Sequence, residues 1–175
     1  MNKIEAINLL IRSGCSQSVI DHCKIVAGYS REIALNIREK SEKKGIPVEI
    51  DIDLVFTGGL LHDIGRSRTH GILHAVEGAS IAIKNGLDEK LVHIIERHIG
   101  AGIPVDETKD LGLPEKDYLP VTLEEKIVAH ADNLIIGNRI ATVEEMILNL
   151  KRKNLNEKTI HRFIKLNDEI SSMLA

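Results

Sequence analysis

Apolar residues recur along this chain at steps of three and four, the spacing that places them on one side of an α-helix. The first run consists of Ile4, Ile7, Leu10 and Ile11, and Gly14 follows it. Because glycine commonly ends a helix, this pattern predicts a short first helix. Sustained alternation of apolar and polar residues, which is typical of a half-buried strand, is scarce.

The remaining pattern divides into further helices, each bounded by residues that cap or end a helix. Their predicted starts are Ser16, Asp51 or Asp53, His74, Asp88, Thr122, Thr142 and Asn156, and predicted ends include Gly45, Gly65 and Gly86. Thr122 and Thr142 are each followed three residues later by glutamate, the spacing of a capping box. The longest predicted loop covers residues 100–121, which include three prolines.

The pattern therefore predicts an all-α fold, a single-domain helical bundle of about seven to eight helices spanning residues 1–175. We expect a core over about residues 16–140, with C-terminal helices over about 141–173 packed on it. The composition, 43% hydrophobic and 28% charged, suits one globular domain of this length. Aromatic residues are only 2%, so Ile, Leu, Val and Ala must build the core.

Charge and cysteine content argue against several classes of function. The formal net charge of −3 gives no reason to expect broad attraction to nucleic acid or to an anionic membrane. Cys15 and Cys23 are too few for a disulfide framework, so we expect two buried thiols. No apolar run approaches the ~18 residues of a transmembrane helix, and no signal peptide is recognisable. We expect a cytoplasmic protein.

A His-Asp pair, His62 and Asp63, closes the apolar segment at residues 54–61. An imidazole and a carboxylate can bind one metal ion if the backbone turns sharply after them, and Gly65 allows such a turn. The dipeptide alone is weak evidence, because it occurs by chance in many proteins. A metal site therefore needs ligands from other segments of the chain.

Four more residues of ligand type lie on separate predicted helices: His22, His74, His98 and Asp132. His22, His98 and Asp132 are in helical phase with apolar neighbours, which places them on inward faces. A carboxylate on a buried face is costly unless it is paired or coordinated. Each residue alone could be a hydrogen-bonded core residue, but together with the His-Asp pair they predict a metal centre without thiolate ligands.

The other four histidines have weaker support. His70 lies in the loop before the fourth predicted helix and is an alternative ligand there. His93 and His161 share the polar sides of their helices, so we expect both at the surface. His130 is two residues before Asp132 and therefore lies on roughly the opposite side of that helix.

The order of the six predicted ligands resembles the H…HD…H…H…D pattern of the HD-domain phosphohydrolase superfamily, in the subset with the HDIG form of the motif. The likeness covers about residues 16–140, and its strongest segments are Leu60–Gly65, His74–Ala79, Ile94–His98 and Ala131–Asn133. The H-x-x-E-G-A context favours His74 over His70. Similar in pattern are bacterial HD enzymes that cleave diadenosine tetraphosphate symmetrically and the HD domains of ribonuclease Y-type nucleases.

This resemblance implies a helical fold of HD-domain type with a binuclear metal centre. The first ion would be held by His22, His62, Asp63 and Asp132, and Asp63 would bridge to a second ion held by His74 and His98. Imidazole and carboxylate ligands suit one or two divalent ions of Fe, Mn, Co, Ni or Zn. Two such ions can activate a water and neutralise phosphate oxygens, which makes Asp63 a candidate catalytic residue.

Three arginines are candidates for binding a substrate, because a guanidinium can clamp the non-bridging oxygens of a phosphate. Arg66 comes three residues after the His-Asp pair and is also a candidate catalytic residue, and Arg68 follows in the same loop. Arg139 is seven residues after Asp132, on the same helical face unless Gly137 ends the helix first. The family commonly has lysine where Arg66 stands.

The leading prediction is metal-dependent hydrolysis of a phosphoester or phosphoanhydride in a small phosphorylated metabolite, with a nucleotide as the expected substrate. Aromatic residues that could stack on a base are few: Phe56, Phe163, Tyr29 and Tyr118. One alternative is an RNA-directed phosphodiesterase that docks RNA on a basic cluster, Lys151, Arg152, Lys153, Lys158, Arg162 and Lys165. A solvated helix surface is the simpler interpretation of that cluster. The other alternative is a non-enzymatic sensor module that binds a nucleotide without turnover.

Overall fold

The structure, a computed structural model, describes residues 1–175 and contains nine α-helices, one 3-10 helix and a two-stranded hairpin. The helices are α1 (Lys3–Ser13), α2 (Gln17–Lys43), α3 (Ile52–Leu61), α4 (His74–Lys84), α5 (Glu89–Arg97), α6 (Val105–Thr108), α7 (Leu123–Asn133), α8 (Val143–Arg152) and α9 (Glu157–Leu174). The 3-10 helix is Ile64–Ser67, and the strands are β1 (Ile135–Ile136) and β2 (Arg139–Ile140). The predicted all-α class is confirmed, and the short α6 inside the predicted loop is the additional helix. No helix combines the length and the apolar character needed to cross a membrane.

Capping side chains begin most helices at the predicted residues. A backbone N–H of the first helical turn donates to the side chains of Ser16, Asp51, Asp88, Thr122, Thr142 and Asn156. The capping box at Thr142 is confirmed, because Glu145 accepts from the Thr142 N–H in return. The second half of the box predicted at Thr122 is wrong. Its glutamate, Glu125, is buried and accepts instead from the guanidinium of Arg97 on α5, a stronger charge-assisted bond.

Two aliphatic clusters fill the bundle. The larger one joins α2 and α7 to the C-terminal helices α8 and α9, and it includes Val26, Ile37, Val128, Leu150 and Ile170. The second joins α1, α3, α4 and α5 to the first half of α2, and it includes Leu10, Cys23, Leu60, Ala79 and Ile95. Helices α2, α3 and α5 contribute to both clusters and so join them.

The chain forms a hairpin directly after α7, which changes the environment of Arg139. Helix α7 ends one residue after Asp132, and β1 pairs with β2 in antiparallel register around Gly137, whose φ is +64°. The expectation that Arg139 continues the helical face of Asp132 is therefore wrong. Arg139 is exposed and forms two hydrogen bonds, of 2.7 and 2.8 Å, to the carboxylate of Glu145 on α8.

The role predicted for Gly65 also needs correction. Helix α3 ends at Leu61, earlier than predicted, and Gly65 lies in the 3-10 helix without a positive φ. A Cβ atom on Gly65 would lie 1.8 Å from the carbonyl oxygen of His74. Glycine is therefore required because α4 packs directly on this backbone, and not because the chain needs a left-handed turn.

The remaining histidines and the cysteines follow the predictions in part. His161 is exposed as predicted, whereas the His93 side chain is 33% exposed. Cys23 is buried as predicted, but Cys15 is partly exposed, and both are free thiols. His130 is only 4% exposed. His130 lies on the side of α7 opposite Asp132, but that side is not exposed to solvent, because α7 packs against α2, α3, α5 and α9.

Burial lowers the pKa of His130 to about 4, against an ordinary value of 6.5. The folded state therefore binds this proton more weakly than the unfolded chain does, and its stability falls as the pH drops from about 6.5 to about 4. We predict that His130→Leu removes this loss, which amounts to at most about 3 kcal/mol. Denaturant unfolding of both metal-free proteins at pH 7 and pH 4 measures it. The prediction would be contradicted if the difference in free energy of unfolding between the two proteins were the same at pH 7 and pH 4.

The close contact at Gly65 predicts a large cost for the smallest substitution. Gly65→Ala should lower the free energy of unfolding by about 3 kcal/mol or more, because the added Cβ meets backbone that cannot move aside easily. Gly28→Ala is the matched control, since a Cβ there meets nothing within 4 Å. The control should keep or raise the stability by about 0.5–1 kcal/mol, because alanine favours a helix. Denaturant unfolding that gives equal effects for the two variants would refute the proposed contact.

Candidate metal centre

The structure brings all six predicted ligands to one point between the two aliphatic clusters. They are His22 of α2, His62 and Asp63 after α3, His74 at the start of α4, His98 after α5, and Asp132 of α7. The side chains of His62 and His98 are 0% and 2% exposed, whereas those of His22 and Asp132 are 24% and 22% exposed. The group is therefore buried on one side and open to solvent on the other.

Asp63 lies at the middle of this group. Its Oδ1 atom is 3.0 Å from Nε2 of His74 and 3.5 Å from Nε2 of His98. Its Oδ2 atom is 3.8 Å from Nε2 of His22 and 3.7 Å from Nε2 of His62. The two carboxylate oxygens thus face different pairs of imidazoles, which is the arrangement expected of a carboxylate that bridges two metal ions.

Asp132 completes the more open half of the group. Its Oδ1 atom is 2.9 Å from Nε2 of His22 and 3.5 Å from Nε2 of His62. The ligand atoms of these three residues lie within 4.8 Å of one another, as do those of His62, Asp63 and His98. Donors bound tetrahedrally to one ion at about 2.1 Å lie about 3.4 Å apart, so little movement is needed to bind a metal.

Backbone carbonyls fix the orientation of three imidazole rings. Nδ1 lies 2.8 Å from Gly59 O in His62, 2.7 Å from Gly71 O in His74, and 2.7 Å from Ile95 O in His98. Because a carbonyl can only accept, Nδ1 donates in each case, so Nε2 is the nitrogen that can bind a metal once the ring is neutral. The sequence interpretation missed these carbonyls. Their signal, a residue three positions before each histidine, is too general to be recognised in advance.

Two atoms of the group show its fit to a metal most directly. Nε2 of His62 and Oδ1 of Asp63 are buried and have no hydrogen-bond partner. A buried polar atom without a partner costs about 1–3 kcal/mol, so such atoms are rare in folded proteins. A divalent cation would satisfy both atoms, and the nitrogen and oxygen donors suit transition metals. The residues present therefore fit a bound metal.

Charge coupling within the group is strong. Burial would lower the pKa of His62, but the carboxylates of Asp63 and Asp132 raise it to about 9. Burial alone would raise the pKa of both carboxyls, but His62 and the other nearby imidazoles keep them well below their usual range. The carboxylates thus hold a proton on His62 at neutral pH. A metal ion would take the place of that positive charge, so metal binding releases a proton.

Arg66 is the predicted arginine that the structure brings to this centre. Its Nε atom donates to Oδ2 of Asp63 at 2.5 Å, and its Nη1 atom donates to the carbonyl of His70 at 3.3 Å. Together with Ser18, His22 and His70 it lines a shallow depression that reaches Asp63. Arg66 therefore lies at the open side of the group.

No hydrogen bond or ion pair connects the six ligands to Arg68, to Arg139 or to the ring of His70. Arg68 is half-exposed and pairs with Glu77 at 3.4 Å. Arg139 pairs with Glu145, as described above. His70 contributes its carbonyl oxygen to Arg66, whereas Nε2 of His74 lies 3.0 Å from Oδ1 of Asp63.

Comparison with known proteins agrees with this geometry. The family model described as the HD domain matches residues 19–136, which contain all six ligands. The chain belongs to the HD-domain family. As a member of this family it is a metal-dependent phosphohydrolase of a class that binds divalent metals, so the predicted family and enzyme class are confirmed.

Relatives of this HD protein differ in length and in name. The uncharacterized protein MJ0778 of Methanocaldococcus jannaschii is 53% identical over 166 residues, which cover 94% of this chain and 95% of that protein. A tRNA (cytidine(56)-2'-O)-methyltransferase of Thermoplasma volcanium is 42% identical over 96% of this chain, but over only 46% of its own length. A ribonuclease Y of Cutibacterium acnes is 29% identical over 79% of this chain and 24% of its own length. The chain thus spans less than half of the last two proteins.

Solved structures share the fold. The HD domain of the phosphodiesterase PgpH from L. monocytogenes, in complex with cyclic-di-AMP, superposes with a TM-score of 0.55 over 97% of this chain and 95% of that chain, at 14% identity. A second structure of the same domain gives a TM-score of 0.52 at 15% identity. The likeness to ribonuclease Y is confirmed by sequence, whereas the likeness to diadenosine tetraphosphate hydrolases stays a prediction.

The bridging position of Asp63 predicts how metal content responds to substitution. Protein loaded with Mn(II) and then dialysed should retain two ions per chain. His22→Ala and His74→Ala should each retain about one ion, and Asp63→Ala should lose tight binding at both positions, because each ion loses a carboxylate oxygen. Elemental analysis measures the content, and circular dichroism confirms folding. The exposed His161→Ala is the control and should keep both ions, and full metal content in Asp63→Ala would contradict the bridge.

Proposed function

We propose that this chain hydrolyses a phosphoester or phosphoanhydride bond in a small phosphorylated metabolite, and that its substrate is a nucleotide. One observation carries the proposal: the two oxygens of Asp63 face separate pairs of histidines inside a buried group of six ligands. When bound, two divalent ions supply a water of lowered pKa and neutralise charge on phosphate oxygens. The imidazole and carboxylate donors of the group suit ions of Fe, Mn, Co, Ni or Zn.

The six residues divide into two sets of donors. The open set would consist of His22, His62, Asp132 and Oδ2 of Asp63, and the buried set of His74, His98 and Oδ1 of Asp63. A substrate phosphate reaches the open set from solvent, since His22 and Asp132 keep about a quarter of their side-chain surface exposed. The buried set is shielded from water, which strengthens its interactions with charge.

Arg66 is the group of the protein best placed to bind that phosphate. Its Nε and Nη1 atoms are engaged, but Nη2 makes no hydrogen bond within the chain, and the side chain is 31% exposed. A guanidinium held by two anchors loses little further freedom when it binds a phosphate oxygen. Arg66 would therefore position both the bridging carboxylate and the substrate.

Support for a nucleotide comes from the proteins that this chain resembles. The PgpH domain of the same fold was crystallised with cyclic-di-AMP, and the partial relatives are named as a ribonuclease and as tRNA methyltransferases. All of these names include a nucleotide or an RNA. The depression at Arg66 is open enough to admit a phosphate that is part of a larger molecule.

The test is turnover by the metal-loaded chain. Protein carrying Mn(II) or Fe(II) is incubated with nucleoside monophosphates, cyclic dinucleotides, diadenosine tetraphosphate and short RNA, and products are separated by chromatography. We expect phosphate or mononucleotide from at least one class, and loss of turnover in folded Asp63→Ala. Inactivity across the whole panel would overturn the proposal. Altered nucleotide affinity in Asp63→Ala, without any turnover in the parent, would favour the sensor module instead.

The role of Arg66 predicts a graded effect of substitution. Arg66→Gln should lower kcat/KM by about 10- to 100-fold, because a charge-assisted hydrogen bond is worth about 1.5–3 kcal/mol. Arg66→Lys should recover most of the activity, since lysine keeps the positive charge. Arg68→Gln, in the same loop but paired with Glu77, is the control and should change the rate by less than about threefold. Metal content must be equal in all variants, and equal losses in Arg66→Gln and Arg68→Gln would contradict the assignment.

RNA is the second candidate substrate, favoured by the surface of α8 and α9. Five exposed basic residues there have no carboxylate partner: Lys151, Arg152, Lys153, Lys158 and Lys165. The sixth member of the predicted cluster, Arg162, pairs with Glu107 and does not add to this surface. RNA binding that weakens steeply as salt is raised would support this candidate. The salt dependence should then be smaller in a triple variant that combines Lys151→Gln, Arg152→Gln and Lys153→Gln.

A further inference from the structure

A cavity of about 290 Å³ lies beside the metal centre and shares none of its six ligands. Its walls come from the loop after α5, from α6, and from the turn between α8 and α9. Half of the residues that line it are hydrophobic, including Ile72, Ile99, Leu111, Leu155 and Phe163. An apolar cavity with a few polar groups is the usual form of a site for a small organic ligand.

The cavity is attached to the metal centre through the chain itself. Ile99 directly follows the ligand His98, and Ile72 precedes the ligand His74 by two residues. The side chain of Asn133, which follows Asp132, donates at 2.9 Å to a carbonyl of the loop after Ile99. Three of the ligands and the walls of the cavity therefore belong to the same segments of the chain, which ties the position of the cavity to that of the metal centre.

The charges of the lining exclude a phosphate from the cavity. Arg162 is its one cationic side chain, and both Nη atoms donate to the carboxylate of Glu107, at 2.7 and 2.6 Å. Asp110 adds a carboxylate that has no ion-pair partner. A phosphate would be repelled here and attracted to the cationic centre. The occupant is therefore not the phosphate but another part of the substrate.

The lining also offers an aromatic surface and a free donor. Phe163 packs so closely on the loop that a Cβ on Gly100 would lie 2.8 Å from its ring. Phe163 is 7% exposed, and the part of its ring that lines the cavity is an apolar contact for a nucleobase. Asn156, which also lines the cavity and is exposed, makes no hydrogen bond within the chain through its side-chain N–H groups, so it can donate to a base or sugar oxygen.

We propose that this cavity binds the nucleoside part of a substrate whose phosphate lies at the metal centre. The assignment rests on the proposed function. The volume is close to the lower limit of ligand sites, about 300 Å³, which suits one nucleoside and not a whole dinucleotide. A free nucleotide and the end of an oligonucleotide present the same chemistry to it.

Binding can be tested without hydrolysis, because the chain contains no tryptophan. Leu155→Trp places a single fluorophore at the cavity, and Leu148→Trp places one at a comparably exposed position on α8 outside it. Adenosine, guanosine, cytidine and uridine are titrated, with ribose as the base-free control. We expect saturable quenching by at least one nucleoside at Leu155→Trp, none by ribose, and none at Leu148→Trp. Calorimetric titration of the unsubstituted chain with the same nucleosides shows whether the added tryptophan itself blocks the cavity. Equal responses at both positions, or no saturable binding to the unsubstituted chain up to millimolar nucleoside, would overturn the assignment.

The catalytic consequence is tested with a variant that fills the cavity. Leu111→Trp should raise KM for the best nucleotide of the panel by about 5- to 100-fold, the range of base stacking, and leave kcat/KM for ribose 5-phosphate or pyrophosphate within twofold. Leu148→Trp should change neither. A nucleotide KM unaffected by Leu111→Trp would overturn the cavity assignment.

The two proposals fail in different ways. Selective quenching at Leu155→Trp by a chain that hydrolyses nothing would keep the cavity as a nucleoside site and remove the proposed function. Hydrolysis of nucleotides by a chain that shows no selective quenching would keep the proposed function and remove the cavity as a nucleoside site. A short oligonucleotide and a mononucleotide are also compared as competitors of the bound nucleoside. Stronger competition by the oligonucleotide would show that the cavity takes the end of an RNA.

Discussion

The structure depends on the neutralisation of one buried carboxylate. Asp63 is 3% exposed, and an isolated carboxylate in a protein interior costs several kcal/mol. Four imidazoles from three flanking helices and from the end of α3 lie within 4 Å of its oxygens, and Arg66 donates to one of them. Helices α2, α3, α4 and α5 must therefore converge at this point. The same convergence that makes the carboxylate tolerable also produces a set of metal ligands, so stability and chemistry share one arrangement.

Much of this arrangement could be predicted from the sequence, because it depends on local rules. The helix starts at Ser16, Asp51 and Thr142 follow from capping residues, whose partners lie within three positions in the chain. The inward direction of His22 and Asp132 follows from helical phase with apolar neighbours. Phase alone cannot tell a ligand from a hydrogen-bonded core residue. The likeness to a family pattern supplied that step, and the structure shows the six side chains together.

Two of the errors lie where a distant segment decides the outcome. Glu125 has the spacing of a capping box but binds Arg97, which is 28 residues away. Gly65 has the sequence context of a turn residue, but glycine is needed there because the backbone of His74, on the next helix, leaves no room for a side chain. In both cases a tertiary contact, invisible in a local pattern, overrides a preference of at most about 1 kcal/mol. Arg139 is different, because the local turn at Gly137 ends the helix before that residue.

The metal ligands lie in the family region alone, whereas the cavity is shared between the family region and the C-terminal helices. All six ligands lie within the HD-domain match at residues 19–136, whereas Leu155, Arg162 and Phe163, which close the cavity, lie beyond it on the α8–α9 turn and α9. A charged centre recognises any accessible phosphate, so it discriminates poorly among phosphorylated molecules. Discrimination needs contacts to the uncharged remainder of a substrate, where an unsatisfied or clashing group is costly. In this chain those contacts come from residues 99–111 and 155–163, and α9 holds the second segment in place because it packs against α2 and α7, two of the helices that carry ligands.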